Sequence, residues 1–165
     1  MTPQTLLKRR ATGAVLTTGI VALTAATAYV HLTLGGLLFL LNGLGYVGLI
    51  VLIVVAVVAP HPLIARFDWI PRLALIVYTA TTIAGYLVIG PYFALGWITK
   101  GIEVALISLV MLDVMRTYGS PRAMIRWAVA SIVDPRHSAH APRRGGESPT
   151  EPAVAAVAAD ASEPA

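Results

Sequence analysis

The chain has 165 residues, of which 57% are hydrophobic and only 12% are charged, and it contains no cysteine. Soluble domains carry about 25% charged residues, so this composition excludes an ordinary soluble globule and indicates a membrane protein. The lack of cysteine excludes disulfides, thiolate zinc sites and cysteine-ligated iron–sulfur clusters. The formal net charge is +4, and we expect the basic residues to interact with anionic lipid headgroups rather than with nucleic acid.

The first apolar segment carries no Asp, Glu, Lys or Arg from Ala11 to Ala59. One membrane span needs about 20 residues, so this segment is long enough for two. We predict spans at residues 13–34 and 37–59. The pair Gly35-Gly36 predicts the turn between them, because adjacent glycines disfavour a continuous helix.

Two further spans are predicted after a loop at residues 60–72. They cover residues 73–89 and 94–115, and Gly90-Pro91 forms the turn between them. Four crossings place every basic segment on one side of the membrane, which by the positive-inside rule is the cytoplasm. The basic residues of these segments are Lys8, Arg9, Arg10, Arg66, Arg72, Arg116, Arg122 and Arg126.

The sequence therefore predicts an all-α membrane protein built as an antiparallel four-helix transmembrane bundle over residues 13–116. It is expected in the plasma (inner) membrane with both termini cytoplasmic, and residues 1–12 form the N-terminal arm. An alternative remains for the first span, because Ala26-Thr27-Ala28 after a basic stretch also fits a signal-peptide cleavage site. We favour the uncleaved span, since the chain stays apolar from Tyr29 onward.

The region after the spans predicts a short amphipathic helix followed by a disordered tail. Within residues 117–134, the segment Pro121–Val133 has Arg122 and Arg126 on one face and apolar residues elsewhere. Such a helix lies in the membrane interface, or alternatively folds back on the cytoplasmic ends of the spans. Residues 135–165 are rich in proline, alanine, glycine and charge, so we expect no packed structure there.

Small residues recur on several predicted spans, where they favour close helix–helix packing in lipid. We expect packing contacts along these rows, which are Ala14, Thr18, Ala22 and Ala26 in the first span, Gly43, Gly45 and Gly48 in the second, and Ala80 and Ala84 in the third.

A polar cluster is predicted in the half of the membrane that faces outward. Lys100 and Glu103 are neighbours on one face of the fourth span, and an isolated charge in hydrocarbon costs at least about 2.5 kcal/mol. These charges should therefore face polar partners inside the bundle, while Asp113 is expected to pair with Arg116. The predicted cluster consists of His31, Asn42, Tyr46, Tyr86, Lys100 and Glu103.

Two interpretations of this cluster remain open. Lys100 and Glu103 form a structural ion pair that holds the helices together, or the cluster is a ligand, ion or proton site open to the outside. No metal, haem or other cofactor is expected, since His31 and His61 lie at opposite membrane faces, roughly 30 Å apart. The sequence has no HExxH, P-loop or GxSxG motif, so we predict no catalytic residues and no enzymatic activity.

Several of these features occur together within residues 12–116: His31-Leu32, Gly35-Gly36, the stretch 39–46, Gly90-Pro91, and the spaced residues Gly96, Lys100 and Glu103. This pattern resembles a group of uncharacterised small four-span membrane proteins of bacteria and archaea. The resemblance implies the same four-helix topology and gives weight to Asn42, Lys100 and Glu103. It implies no activity.

The sequence thus predicts a non-enzymatic polytopic protein that serves as an accessory or scaffolding component of a membrane complex. Its expected partners are the lipid bilayer and either other membrane-protein subunits or further copies of itself. The alternative is a small transporter or ligand-binding membrane protein that uses the polar cluster.

Overall fold

The computed structural model describes residues 2–59 and 61–133, and every regular element within these residues is a helix. The predicted tail at residues 135–165 lies outside this range. In chain order the helices are α1 (Pro3–Thr33), α2 (Leu37–Val58), α3 (Pro62–Arg66), α4 (Trp69–Ile89), α5 (Ala94–Tyr118) and α6 (Pro121–Val133).

Three of the helices are long and apolar enough to cross a membrane. They are Ala11–Thr33 within α1, the whole of α2 and the whole of α4. The helix α5 is not among the three, and it carries Lys100, Glu103 and Asp113. The described chain is therefore all-helical with three candidate spans.

The helix bounds differ from the predicted spans mainly at the start of α1 and α4. The helix α1 begins at Pro3 and continues without a break into the apolar segment. The helix α4 begins at Trp69 rather than at residue 73, with Pro71 in its first turn. Proline is tolerated there because the first N–H groups of a helix have no acceptor within the helix. The short helix α3 lies in the predicted loop.

Glycine forms the turn between α1 and α2, as predicted. Gly35 and Gly36 have φ angles of +73° and +86°, in the left-handed region that side chains with a Cβ disfavour. The turn is so short that α1 and α2 run antiparallel as neighbours. Gly119, with φ of +81°, forms a similar turn between α5 and α6.

The packed helices have two ends, which we name by their residues. The turn end contains the Gly35-Gly36 and Gly90-Pro91 turns, and the basic end contains Arg66 and Arg72. The helix α1 packs against α2 and α5, and α4 packs against α5 and α2. Large apolar side chains remain exposed on the outer faces of α1, α2, α4 and α5, as expected for surfaces covered by lipid rather than water.

Arg72 joins α4 to α5 at the basic end. Its guanidinium Nε lies 2.8 Å from the Asp113 carboxylate of α5, and its Nη1 lies 3.4 Å from Asp68. Tyr118, at the end of α5, donates a hydrogen bond to the same Asp68 carboxylate. The predicted partner of Asp113, Arg116, lies farther away at 3.8 Å, so Arg72 is the closer of the two.

The helix α6 follows the predicted bounds and packs back on the basic end. Its Met124, Ala128 and Ser131 are buried. The Arg66 side chain donates to the Ser131 carbonyl, and the Trp69 indole donates to the Ser131 hydroxyl at 3.0 Å. One face of α6 therefore contacts the other helices, which is the folded-back alternative. Its opposite face exposes apolar side chains, so contact with the membrane interface stays a prediction.

The small-residue rows predicted in α1 and α4 are largely wrong as packing surfaces. Ala14, Thr18 and Ala22 are exposed and Ala26 is half-buried, while both alanines of the α4 row are exposed. The buried face of α1 instead carries Ile20, Thr24, Thr27, Ala28 and His31. Polar side chains gain more than alanines by turning away from lipid, so they decide the rotation of the helix.

The glycine row of α2 is partly right. Gly43 is buried against Leu32 of α1, and Gly45 lies against the ring of Tyr78 from α4. The third glycine, Gly48, is exposed and has no neighbour where a Cβ would stand.

We expect Gly45→Ala to destabilise the fold. A Cβ at this position would overlap the Tyr78 ring and hydroxyl, so the ring must move and lose its hydrogen bond to the Asn42 carbonyl. Overpacking of this kind costs about 1–3 kcal/mol, which thermal unfolding of the purified protein in detergent would detect. Gly48→Ala is the matched control and should unfold at the wild-type temperature or slightly above it. Equal losses in both variants would contradict the close approach of α2 and α4.

Candidate functional site

A single carboxylate lies at the centre of the polar cluster. Glu103 is wholly buried, and its Oε2 lies 2.5 Å from the Lys100 ammonium one turn earlier on α5. The Thr82 hydroxyl of α4 also lies 3.1 Å from Oε2. The two opposite charges thus neutralise each other inside the packed helices, as buried charges require.

A chain of hydroxyls links α2 to this carboxylate. The Tyr46 hydroxyl lies 2.9 Å from Thr82 Oγ1, and Thr82 has the Glu103 carboxylate and the Thr79 carbonyl as its acceptors. Because Thr82 has only one proton, which it donates to one of these acceptors, Tyr46 is the donor in the Tyr46–Thr82 bond. Tyr46 is wholly buried, so its hydroxyl needs this partner.

His31 brings α1 to the other oxygen of Glu103. Its Nδ1 lies 2.8 Å from the Thr27 carbonyl, and its Nε2 lies 3.9 Å from Glu103 Oε1. The imidazole also packs against Tyr46, with ring centroids 5.6 Å apart. The helices α1, α2, α4 and α5 therefore each contribute a polar side chain to one place near the turn end.

The structure brings together four of the six predicted residues, namely His31, Tyr46, Lys100 and Glu103. Tyr86 lies at the edge of the cluster, with its ring 5.5 Å from the Lys100 ammonium. Asn42 stands apart from the carboxylate, and its backbone carbonyl accepts a hydrogen bond from Tyr78.

Sequence analysis missed the threonines of α4. Thr82 contacts both Tyr46 and Glu103, and Thr79 is wholly buried beside it. A signal was present in the sequence, because Thr79, Thr82 and Tyr86 are spaced so that they share one face of a helix. Threonine hydroxyls are common in apolar helices, so Thr79 and Thr82 were not predicted as partners of a charged side chain.

A cleft of about 420 Å³ opens beside the cluster at the turn end. Its walls come from the end of α1, the start of α2, the end of α4 and the start of α5, and most of its lining is apolar. Its polar lining residues include His31, Asn42, Thr82 and Lys100, and all of these except Asn42 also contact Glu103. Ligand pockets typically have volumes of about 300–1,000 Å³, with apolar walls and a few polar groups.

Within residues 2–59 and 61–133, no group of three or more His, Asp or Glu residues is placed to hold a metal ion. His61 lies beyond the end of α2, where its Nδ1 accepts a hydrogen bond from the Leu63 backbone at the start of α3. It therefore stands at the basic end, whereas His31 stands near the turn end.

No family model, curated protein or solved structure matches the chain. The resemblance to small four-span membrane proteins stays a prediction.

We expect Lys100→Met and Glu103→Gln to destabilise the protein by about 3–5 kcal/mol each, because each leaves the other charge buried without its counter-ion. The double variant should recover much of this loss, with a coupling of about 2–3 kcal/mol. Unfolding midpoints of the four proteins in detergent measure this cycle.

Ser108→Ala is the control, since this exposed hydroxyl on α5 bonds only to the Val104 carbonyl one turn earlier. It should leave the midpoint unchanged. Strictly additive losses in the double variant would show that the two charges do not depend on each other.

Proposed function

We propose that the chain is a non-enzymatic polytopic membrane protein that binds a small amphiphilic molecule in the cleft at the turn end. The observation that carries this proposal is the cleft itself, which combines apolar walls with the Lys100 ammonium in its lining. A structural ion pair alone needs no cavity beside it, whereas a binding site needs both a cavity and polar groups in its lining.

The proposal includes α5 as a fourth span and an antiparallel four-helix transmembrane bundle. With 25 residues, α5 is about 37 Å long, enough for a hydrocarbon core of about 30 Å. Its buried charges have partners, and its exposed side chains include Ile98, Val104 and Leu112. These features let α5 cross lipid despite the charges that it carries.

The register of α4 against α5 supports the same arrangement. Thr82 meets Glu103 near the turn end, and Arg72 meets Asp113 near the basic end. The two contacts are ten residues apart on each helix, so α5 follows α4 in the opposite direction over that length. A helix held at both levels by a spanning helix crosses the same layer.

The distribution of charge supports an orientation with the basic end in the cytoplasm of a plasma (inner) membrane. Lys8 lies near the start of α1, and Arg66, Arg72 and Arg116 lie at the basic end. At the turn end, Lys100 is the basic residue, and it is buried beside Glu103. By the positive-inside rule both termini are then cytoplasmic and the cleft faces outward.

The chemistry of the cleft favours a ligand with a short apolar body and a hydrogen-bond-accepting head such as a carboxylate. Its volume of about 420 Å³ lies within the range of about 300–1,000 Å³ that is typical of small-molecule pockets. The ammonium of Lys100 has three donors, and its protein partners are Glu103 and, at 3.4 Å, the Thr82 carbonyl. A ligand acceptor is suited to the third donor.

The accessory or scaffolding role stays a prediction. The apolar outer faces of the helices suit lipid as well as they suit another subunit or a second copy of the chain. No contact among the described residues favours a protein partner over lipid.

A photoactivatable medium-chain fatty acid bearing a diazirine tests the binding site. In the purified wild-type protein we expect peptide mapping to find crosslinks on cleft residues such as Phe39 and Ile89. Gly85→Leu should reduce this labelling about ten-fold, because Gly85 lines the cleft and a Cβ there meets open space. The added side chain then occupies volume that the ligand needs.

Gly101→Leu is the matched control for this experiment. Gly101 is exposed on α5, lies outside the cleft and also has open space where a Cβ would stand. It should keep wild-type labelling. Cleft labelling that is equal in both variants, or no stronger than labelling of the outer helix faces, would contradict the proposed site.

A further inference from the structure

Glu103 has one oxygen without a hydrogen bond. Its Oε2 has Lys100 and Thr82 as partners, but its Oε1 is fully buried and has no donor within hydrogen-bonding distance. A buried carboxylate oxygen without a donor costs more than a neutral polar atom in the same state, so such an atom calls for a proton or a ligand. Its nearest ionisable partner on another helix is His31 Nε2, at 3.9 Å.

The other nitrogen of His31 defines how its protons are arranged. The partner of Nδ1 is the Thr27 carbonyl, and a carbonyl oxygen only accepts hydrogen bonds. Nδ1 therefore carries a proton in both charge states of the ring. The neutral imidazole then presents the lone pair of Nε2 toward Glu103, and a second proton on Nε2 would be directed at Oε1.

The titratable and hydrogen-bonding groups around His31 and Glu103 come from α2, α4 and α5. From α2, Tyr46 packs on the His31 ring, and from α5, Lys100 is the single cation beside Glu103. The helix α4 offers the neutral hydroxyls of Thr79 and Thr82 together with the Tyr78 and Tyr86 phenols, and its one charged residue, Arg72, lies at the basic end. Among these groups, only an imidazole has an ordinary titration range near neutral pH.

We propose that His31 and Glu103 form a proton-binding site that opens into the cleft. A hydronium ion in the cleft transfers a proton to His31 Nε2, so one O–H bond breaks, one N–H bond forms and a water molecule is left. The new N–H stays on the imidazole and is directed at Glu103 Oε1, the oxygen without a donor. The combined charge of His31, Lys100 and Glu103 rises from zero to plus one. The inference goes beyond the proposed function, because the site needs no bound amphiphile.

The geometry favours a proton over a metal cation. The Lys100 ammonium already lies against Glu103, so a metal ion would face a positive charge at short range. A proton on His31 Nε2 instead adds its charge at Oε1, away from Lys100 at Oε2. The distance from Nε2 to Oε1 is 3.9 Å, about 1 Å longer than a charge-assisted hydrogen bond. His31 lines the cleft while Glu103 does not, so the imidazole takes up the proton from the cleft and presents its N–H to the carboxylate.

Nitrogen NMR of the full chain with ¹⁵N-labelled histidine, in lipid nanodiscs without added ligand, tests the proposal. The signal lost in His31→Gln identifies His31. At high pH we expect the neutral ring to carry its proton on Nδ1, the less common tautomer of free histidine. As the pH is lowered, the signal of Nε2 should also become that of a protonated nitrogen.

Glu103→Gln tests whether the carboxylate stabilises the protonated form of His31. At the pH where wild-type His31 is half protonated, the ratio of imidazolium to imidazole should fall about ten-fold in this variant. The control Ser108→Ala removes an exposed hydroxyl of the same helix, whose partner is the Val104 carbonyl, and should leave the ratio unchanged.

A neutral ring with its proton on Nε2, a His31 signal that does not titrate, or an equal ratio in wild type and Glu103→Gln would each overturn the proposal. If Glu103→Gln does not fold, the wild-type tautomer and titration still decide it. A failure of fatty-acid labelling, by contrast, would bear on the proposed ligand and leave the proton site standing.

Discussion

The burial of one carboxylate among apolar helices constrains the whole arrangement. Glu103 is wholly buried, and a charge in that position is stable only if polar groups surround it. Lys100 supplies the counter-charge from the same helix, but the remaining contacts come from other helices: His31 of α1 and Thr82 of α4, which in turn holds Tyr46 of α2. Packing that satisfies Glu103 therefore fixes the rotation of four helices at once.

A second set of charges performs a similar task at the basic end. Arg72 of α4 lies between Asp68 and Asp113, so an ion pair joins α4 to α5 near the basic end. Near the turn end the two helices are joined by the hydrogen bond from the Thr82 hydroxyl to the Glu103 carboxylate. Between these contacts the core is apolar and includes Leu75, Leu106 and Val110. The two polar contacts set the register of the helix pair, which apolar packing in lipid specifies only weakly. The cleft lies beside the contact near the turn end, and Gly85 and Gly90 are among its lining residues.

The sequence predicted the elements better than it predicted their rotation. Long apolar runs and the Gly35-Gly36 pair identify α1 and α2, because length and permitted backbone angles are local properties. The pairing of Lys100 with Glu103 is local as well, since the two residues lie one turn apart. Thr82 was not foreseen because a threonine hydroxyl in a helix also bonds to its own backbone, so its place on one face with Thr79 and Tyr86 does not by itself mark it as a partner of a distant charge. The row of small residues in α1 gave a wrong prediction because its regular spacing resembles a packing surface. The polar face formed by Thr24, Thr27 and His31 instead decides which side of the helix is buried.

We expect the buried ion pair to permit α5 to cross the membrane as a fourth span. The chain has no cysteine, so single cysteines introduced at Ala94, the first residue of α5, and at Arg122, beyond its other end, give an unambiguous signal. Both positions are exposed. Labelling of intact expressing cells with a membrane-impermeant maleimide is the most direct measurement. The account predicts that the cysteine at position 94 reacts in intact cells and that the one at position 122 reacts only after permeabilisation. Equal reactivity of the two positions before permeabilisation would place both ends of α5 on one side and contradict it.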